Sequence, residues 1–84
     1  MKTRSVKQVN EYLRVLGYKE EIWKNFEGGP YFVWSGGDAH NWYQASTYVP
    51  RVTDLSMERW IEERNWLASG GLAPAGWVGR WRDD

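Results

Sequence analysis

The residues whose side chains could carry chemistry are few in this 84-residue sequence, and their spacing does not assemble a reactive site. His40 is the single histidine, and the chain has no cysteine. A zinc site needs three or four ligands of these kinds, so one imidazole close to Asp38 does not make one. Ser35 and Ser46 lie near that histidine, but neither stands in the turn motif of a nucleophilic serine. We therefore expect no metal, no cofactor and no catalytic residue, and we predict that the chain is not an enzyme.

Paired acids and paired glycines recur along the chain without forming a functional motif. The pairs are Glu20-Glu21, Glu62-Glu63, Asp83-Asp84, Gly28-Gly29, Gly36-Gly37 and Gly70-Gly71. Neighbouring side chains do not face each other on a helix or a strand, so adjacent carboxylates do not form a catalytic pair. None of the glycine pairs has the spacing of a phosphate-binding loop, and turn roles explain them. We expect the paired acids to be solvated.

The aromatic residues are the most informative feature of the sequence. Seven Trp, five Tyr and two Phe make up 17% of a chain too short to build a thick core. Each buried ring removes roughly 150–250 Å² from water, so many of them will stabilise the fold. A ring left exposed beside an arginine is typical of a protein interface. We therefore predict a partner-binding set that comprises Trp42, Tyr43, Arg51, Trp77, Arg80 and Trp81.

Positive and negative charges balance at eleven each, but they are unevenly distributed. Residues 1–19 carry five positive charges and one negative charge, a net of +4. Overall neutrality argues against a protein whose main ligand is a phosphate backbone. A nucleic-acid interface on the basic amino end is the alternative, and it would use Lys2, Arg4, Lys7, Arg14 and Lys19. No apolar run approaches the ~20 residues of a membrane span, so we expect no membrane partner.

A first helix is predicted over residues 5–17. Thr3 or Ser5 can cap its amino end, and Gly17 stands where a helix often stops because glycine accepts a positive φ. Apolar residues recur at three- and four-residue spacing and should form one buried stripe. That stripe consists of Val6, Val9, Leu13 and Leu16.

A second helix is predicted over residues 56–69. Ser56 is the expected N-cap, and Leu55 before it can act as the outer half of a hydrophobic staple. Gly70 and Gly71 end the helix. The predicted buried stripe consists of Met57, Trp60, Ile61 and Leu67, with Glu62 and Glu63 lying away from it.

Three strands are predicted between the helices. Residues 20–26 alternate as a strand does, although their composition also permits a helical turn. A turn at 27–30 and a run of strand formers at 31–34 favour a hairpin. Residues 46–49 form a third, short strand closed by Pro50, which has no N–H to donate.

The predicted order is helix-β-β-β-helix, an α+β fold. Neither helix can bury its stripe alone, so we expect a small three-stranded antiparallel sheet with both helices packed on one face. Residues 1–71 would form this single domain. Residues 72–84 form a tail rich in Trp and Arg, which either straps down onto the domain or acts as a contact arm.

Part of this pattern resembles a group of short, uncharacterised proteins from bacteriophages and prophages. The resemblance covers about residues 12–67. It rests on the aromatic run 31–37, Trp42, the segment 46–51, Leu55-Ser56 and Trp60. It implies a protein of phage or mobile-element origin in the cytoplasm of a bacterial host, and it brings no known activity. We expect a non-catalytic accessory module that binds a protein partner or a second copy of itself.

Overall fold

The computed structural model describes residues 5–25, 27 and 31–71, which contain two α-helices and three β-strands. In chain order these are α1 (Val6–Val15), β1 (Glu21–Asn25), β2 (Tyr31–Ser35), β3 (Ser46–Thr47) and α2 (Met57–Ala68), with single 3₁₀ turns at Ala39–Asn41 and Val52–Asp54. The predicted α+β fold and its element order are confirmed. The tail, residues 72–84, lies outside the described residues.

Serine caps begin both helices: Ser56 is the predicted cap of α2, and Ser5 is one of the two candidates for α1. The Ser5 hydroxyl accepts a hydrogen bond from the Gln8 N–H at 3.1 Å, and the Ser56 hydroxyl accepts one from the Arg59 N–H at 3.2 Å. Each bond satisfies one of the backbone donors that a helix leaves free in its first turn. At the other end of α1, Gly17 has a φ of 92°, which turns the chain out of the helix.

The strands form one antiparallel sheet in the order β1-β2-β3. Ile22 pairs with Trp34 across the first two strands, and Phe32 pairs with Thr47 across the last two. The third strand contains only residues 46 and 47, so the predicted extent of 46–49 is wrong. The Val49 N–H bonds back to the Thr47 carbonyl at 3.1 Å and bends the chain, and the proline after it has no N–H to continue the ladder.

Both helices pack on one face of the sheet, as predicted. The residues of this inner face include Ile22, Phe32, Trp34 and Thr47, and they share a single core cluster or hydrogen-bond network with the buried residues of α1 and α2. Trp60 of α2 lies at the centre of this core. Its ring contacts Phe32 edge-on at 5.2 Å between centroids and Trp34 at 6.0 Å.

The free edge of β1 is closed by a side chain of α1. The Asn10 side-chain carbonyl accepts a bond from the Ile22 N–H at 2.8 Å, and its amide donates to the Ile22 carbonyl at 3.3 Å. The amide thereby takes the place of one residue of a neighbouring strand. This contact blocks strand addition at that point of the edge.

Three predictions of side-chain exposure are also wrong. Leu16 is 47% exposed because α1 ends at Val15 and the side chain lies beyond the packed turns. Glu63 is fully buried, since it shares the inward side of α2 with Trp60 three residues before it and Leu67 four residues after it. Glu20 is also buried, at 3% exposure, because it pairs with a residue of α2.

Candidate functional site

The predicted partner-binding residues have very different surroundings. Trp42 is half-buried, with its ring 5.8 Å from that of Trp34. Tyr43 is 78% exposed. Arg51 is exposed, and its Nε lies 3.5 Å from a carboxylate oxygen of Asp54. The remaining three, Trp77, Arg80 and Trp81, lie outside the described residues.

Tyr43 and Arg51 do not form one patch with each other. Tyr43 precedes β3 and Arg51 follows it, and the register places Ala45 beside Trp34 and Thr47 beside Phe32. The two side chains therefore leave the sheet from opposite ends of β3. Trp42 packs mainly against the core, so only Tyr43 and Arg51 of the described members are well exposed.

The basic residues of the nucleic-acid alternative are exposed where the structure describes them. Lys7, Arg14 and Lys19 are on the surface, and Lys2 and Arg4 lie outside the described residues. On α1, the exposed Glu11 lies four residues after Lys7 and three before Arg14, so it shares their face of the helix. A carboxylate between two cations weakens their combined attraction for phosphate.

The sheet has a second face that the helices do not cover, here called the outer face. Strand alternation assigns to it Glu21, Trp23, Asn25, Tyr31, Val33, Ser35 and Ser46. Trp23 is 58% exposed, and its indole N–H donates to the Ser35 hydroxyl. Trp23 lies directly opposite Val33 in the register. Tyr31 and Tyr48 extend the aromatic surface, with their rings 5.5 Å apart.

Sequence reasoning missed the outer face, although its signal was present. The alternation that sends Ile22 and Lys24 inward necessarily leaves Trp23 outward. Lys24 confirms the assignment, because its ammonium group donates to the Pro50 carbonyl and lies 5.0 Å from the inward Phe32 ring. Glu21 is consequently the only charged residue among the outward strand positions named above.

A second notable cluster surrounds a buried ion pair. The Arg64 Nε donates to one oxygen of Glu20 at 3.0 Å, and the Asp38 N–H donates to the other at 2.9 Å. The guanidinium lies 4.3 Å from the Tyr18 ring centroid and 5.6 Å from that of Trp42. Burial raises the pKa of Glu20, but the hydrogen bonds from Arg64 and Asp38 and the charge of Arg64 together outweigh burial, so the pKa lies below its usual value.

The groove beside this ion pair has little capacity left for a ligand. It encloses about 400 Å³ and is lined by Tyr18, Lys19, Glu20, Asp38 and Arg64 together with two glycines. Both oxygens of Glu20 already accept hydrogen bonds, and the Arg64 Nη1 donates to the Asn65 side chain at 3.0 Å. The cluster joins β1 to α2, and its paired groups explain its position without a substrate.

The Glu20 carboxylate is expected to make the fold sensitive to acid. Because its pKa is lowered on folding, the unfolded chain takes up the proton first. Its stabilising contribution is complete above the ordinary glutamate pKa of 4.5 and is lost as the pH falls through the lowered value. Urea unfolding at about pH 7 and about pH 3 should show a smaller acid-induced loss for Glu20→Gln than for the parent chain.

The matched control for this prediction is Glu21→Gln, which neutralises the exposed acid at the next position. This variant should lose as much stability in acid as the parent does. If Glu20→Gln kept the parent's full acid-induced loss, the assigned role of the ion pair would be wrong.

Alanine at Gly37 is expected to destabilise the fold more than alanine at Gly17. Both glycines have positive φ, at 50° and 92°, so each substitution costs about 1–2 kcal/mol for the left-handed backbone. A Cβ on Gly37 would also overlap the Glu20 carboxylate, with its Cδ 2.8 Å away, whereas Gly17 has nothing within 4 Å. Urea denaturation measures the difference, and equal losses at the two positions would show that the carboxylate moves aside freely.

Among the described residues, the structure shows no metal-ligand cluster and no membrane-spanning helix. His40 is exposed, and no group of three or more His, Cys, Asp or Glu residues is placed to hold a metal ion among residues 5–25, 27 and 31–71. Over the same residues, neither helix has the length and apolar character needed to cross a bilayer.

Comparison with known proteins gives no relative of this chain: no family model matches it, and neither does any curated protein or solved structure. Its function is therefore inferred from the described surfaces themselves. The outer face is the strongest of these surfaces, because it combines an exposed Trp with neighbouring aromatic and aliphatic side chains.

Proposed function

We propose that this chain is a non-catalytic protein-binding module and that the outer face is its contact surface. The observation that carries the proposal is the 58% exposure of Trp23 on a sheet whose opposite face is closed by both helices. An exposed tryptophan beside Val33 offers a large apolar area whose burial would supply much of the binding energy. The half-buried Tyr31 and Tyr48 lie at the edge of this surface and contribute polar hydroxyl groups there.

The charge of the outer face favours a protein partner over a nucleic acid. A single-strand binding surface combines stacking rings with cations that follow the phosphates. The outward strand positions carry the Glu21 carboxylate and no cation, and Lys24 points to the other face. Aromatic rings beside a carboxylate bind apolar and basic side chains more favourably than phosphates.

The biological setting of the proposal comes from the sequence resemblance. That resemblance implies a protein of the bacterial cytoplasm, so we place this module there and expect its partner to be a host protein or a second copy of the chain. A contact surface of rings is consistent with an accessory role.

Substitution of Trp23 tests the proposed function. Tagged parent chain is used to capture proteins from a bacterial lysate, and the recovered partner is then purified and titrated by calorimetry. Trp23→Ala should raise the dissociation constant by about tenfold or more, as expected for an aromatic anchor. Tyr43→Ala is the matched control, since it removes an exposed ring from a loop. A partner that loses affinity with Tyr43→Ala and not with Trp23→Ala would contradict the assignment.

The salt dependence of oligonucleotide binding tests the nucleic-acid alternative. Binding that depends on Lys7, Arg14 and Lys19 should weaken steeply and linearly when the logarithm of affinity is plotted against that of salt concentration. We expect no such binding to a labelled single-stranded oligonucleotide at physiological salt. A tight complex that Lys7→Ala and Arg14→Ala together abolish would support the alternative instead.

A further inference from the structure

The edges of the sheet leave little room for a partner strand. Asn10 already bonds both backbone groups of Ile22 at the free edge of β1. At the opposite edge, β3 has two residues, and the Thr47 carbonyl accepts a bond from the Val49 N–H at 3.1 Å. A strand adds to a sheet through a row of free backbone groups. A partner of this sheet is therefore expected on its outer face rather than beside an edge.

The outer face is about as large as one short α-helix. Strands rise about 3.3 Å per residue and lie about 4.8 Å apart, so strands of five, five and two residues span roughly 16 Å by 10–15 Å. A helix is about 10–12 Å wide, and a length of about 16 Å contains about eleven residues, or three turns. A stable dimer buries about 800 Å² on each partner, so this face suits one element of a partner better than a second folded copy.

A helix is also better suited to this position than an extended segment. An extended segment laid across the side chains of a sheet makes no ladder, and its N–H and C=O groups would be covered without partners. A helix bonds its own backbone and presents only side chains. The protein already uses this packing on the inner face, where α1 and α2 cover the same sheet.

The outward side chains form three rows that match successive turns of a helix. The rows are the register pairs Glu21–Ser35, Trp23–Val33 and Asn25–Tyr31. Neighbouring rows are about 6.6 Å apart, close to the rise of about 5.4 Å per helical turn. The central row is apolar and the rows on either side carry polar groups, as in an interface with an apolar centre and a polar rim. A helix lying along the strands would therefore place its largest apolar side chain over Trp23 and Val33.

We propose that the outer face binds an amphipathic α-helix of about three turns that the partner presents. The inference rests on the proposed function and adds the class of partner. Apolar side chains at i, i+3, i+4 and i+7 of this helix would face the sheet, with the largest of them on Trp23, which is 58% exposed without the partner. Because the area is small, the complex belongs to the transient class and depends on this one anchor.

A displayed library of random peptides tests the inference. The full chain is used to select from peptides of about sixteen residues, long enough for about four turns. The selected sequences should share an apolar stripe at helical spacing. Their binding should weaken about tenfold or more with Trp23→Ala and about twofold or less with Tyr43→Ala. Alternating apolar residues, which are typical of a strand, or a library that yields no binder would overturn the helix.

Proline substitution in a selected peptide reports its bound conformation. Proline at a central, solvent-facing position should weaken binding about tenfold or more, because it removes a helical hydrogen bond and clashes with the preceding turn. Alanine at the same position is the control and should change binding by about twofold or less. Mixing peptide and protein should also increase the helical signal in circular dichroism. If proline is tolerated as well as alanine, the bound segment is not a helix.

The outcomes distinguish this inference from the proposed function. Selected peptides that need Trp23 and tolerate proline would overturn the helix and leave the outer face as the contact surface. Helical peptides that bind Trp23→Ala as tightly as the parent would overturn both. Sedimentation equilibrium addresses the remaining occupant, a second copy. We expect the full chain to be a monomer, and a dimer that Trp23→Ala dissociates would overturn the helix in favour of self-association.

Discussion

Replacing Trp60 with alanine is expected to remove most of the stability of this domain. Trp60 is fully buried, contacts both Phe32 and Trp34, and donates its indole N–H to the Val52 carbonyl at 3.0 Å. Truncating a buried tryptophan costs about 3–5 kcal/mol. A domain of this length has a free energy of unfolding of roughly 4–13 kcal/mol, so the variant should be marginally stable or unfolded.

Urea denaturation followed by far-ultraviolet circular dichroism measures this loss. Trp23→Ala is the matched control, because it removes the same side chain from the exposed outer face and should change the free energy of unfolding by about 1 kcal/mol or less. Similar losses in the two variants would mean that Trp60 does not anchor the core as its position indicates.

Replacing Thr47 with valine is expected to destabilise the domain even though the two side chains have nearly the same shape. The Thr47 hydroxyl accepts a bond from the Trp34 indole at 2.9 Å and donates one to the Glu63 carboxylate at 2.7 Å. Valine removes both bonds inside the core. Each buried hydrogen bond that is lost costs about 1–3 kcal/mol, so the two losses together should reach about 2–6 kcal/mol.

Thr47→Ser provides the opposite substitution at the same position. Serine keeps the hydroxyl and loses a buried methyl, which costs about 1 kcal/mol. The serine variant should therefore be more stable than the valine variant, contrary to the order that apolar burial alone would give. A valine variant at least as stable as the serine variant would contradict the importance of the buried hydrogen bonds. Thermal unfolding of the two proteins gives the comparison directly.

These two predictions concern a core that is partly polar. The network from Trp34 through Thr47 to Glu63 connects β2, β3 and α2, so it fixes how the helix lies across the sheet. The Glu20–Arg64 pair makes a second polar connection, between the start of β1 and α2. A thin core gains specificity from such contacts, because each of them is satisfied in only one arrangement of the elements.

The local features of the fold were predictable from sequence because each depends on neighbouring residues. Ser5 and Ser56 cap helices through bonds that span three residues. Gly17 ends α1 by its own backbone conformation, and the spacing of Val9 and Leu13 is sufficient to place them on one side of a helix. The order of helices and strands follows from these signals.

The burial of the two acidic residues was not predictable in the same way. Glu63 lies on the inward side of α2, but its charge predicts exposure to solvent. Only the fold shows that the Thr47 hydroxyl donates a hydrogen bond to its carboxylate. Glu20 is buried through a partner 44 residues away. Charge alone predicts exposure, and only a satisfied partner in the folded chain reverses that expectation.

The amino-acid order by itself determined the order of helices and strands, the cap of α2 and that rings would dominate the interior. Strand alternation sets Trp23 and Ile22 on opposite faces, but only the tertiary structure decided which face the helices cover. Trp42 joined the core beside Trp34, whereas Trp23 was directed outward beside Val33. The reason is that the helices cover one side of the sheet only, and the exposure of a ring depends on what packs across it rather than on its neighbours in the chain.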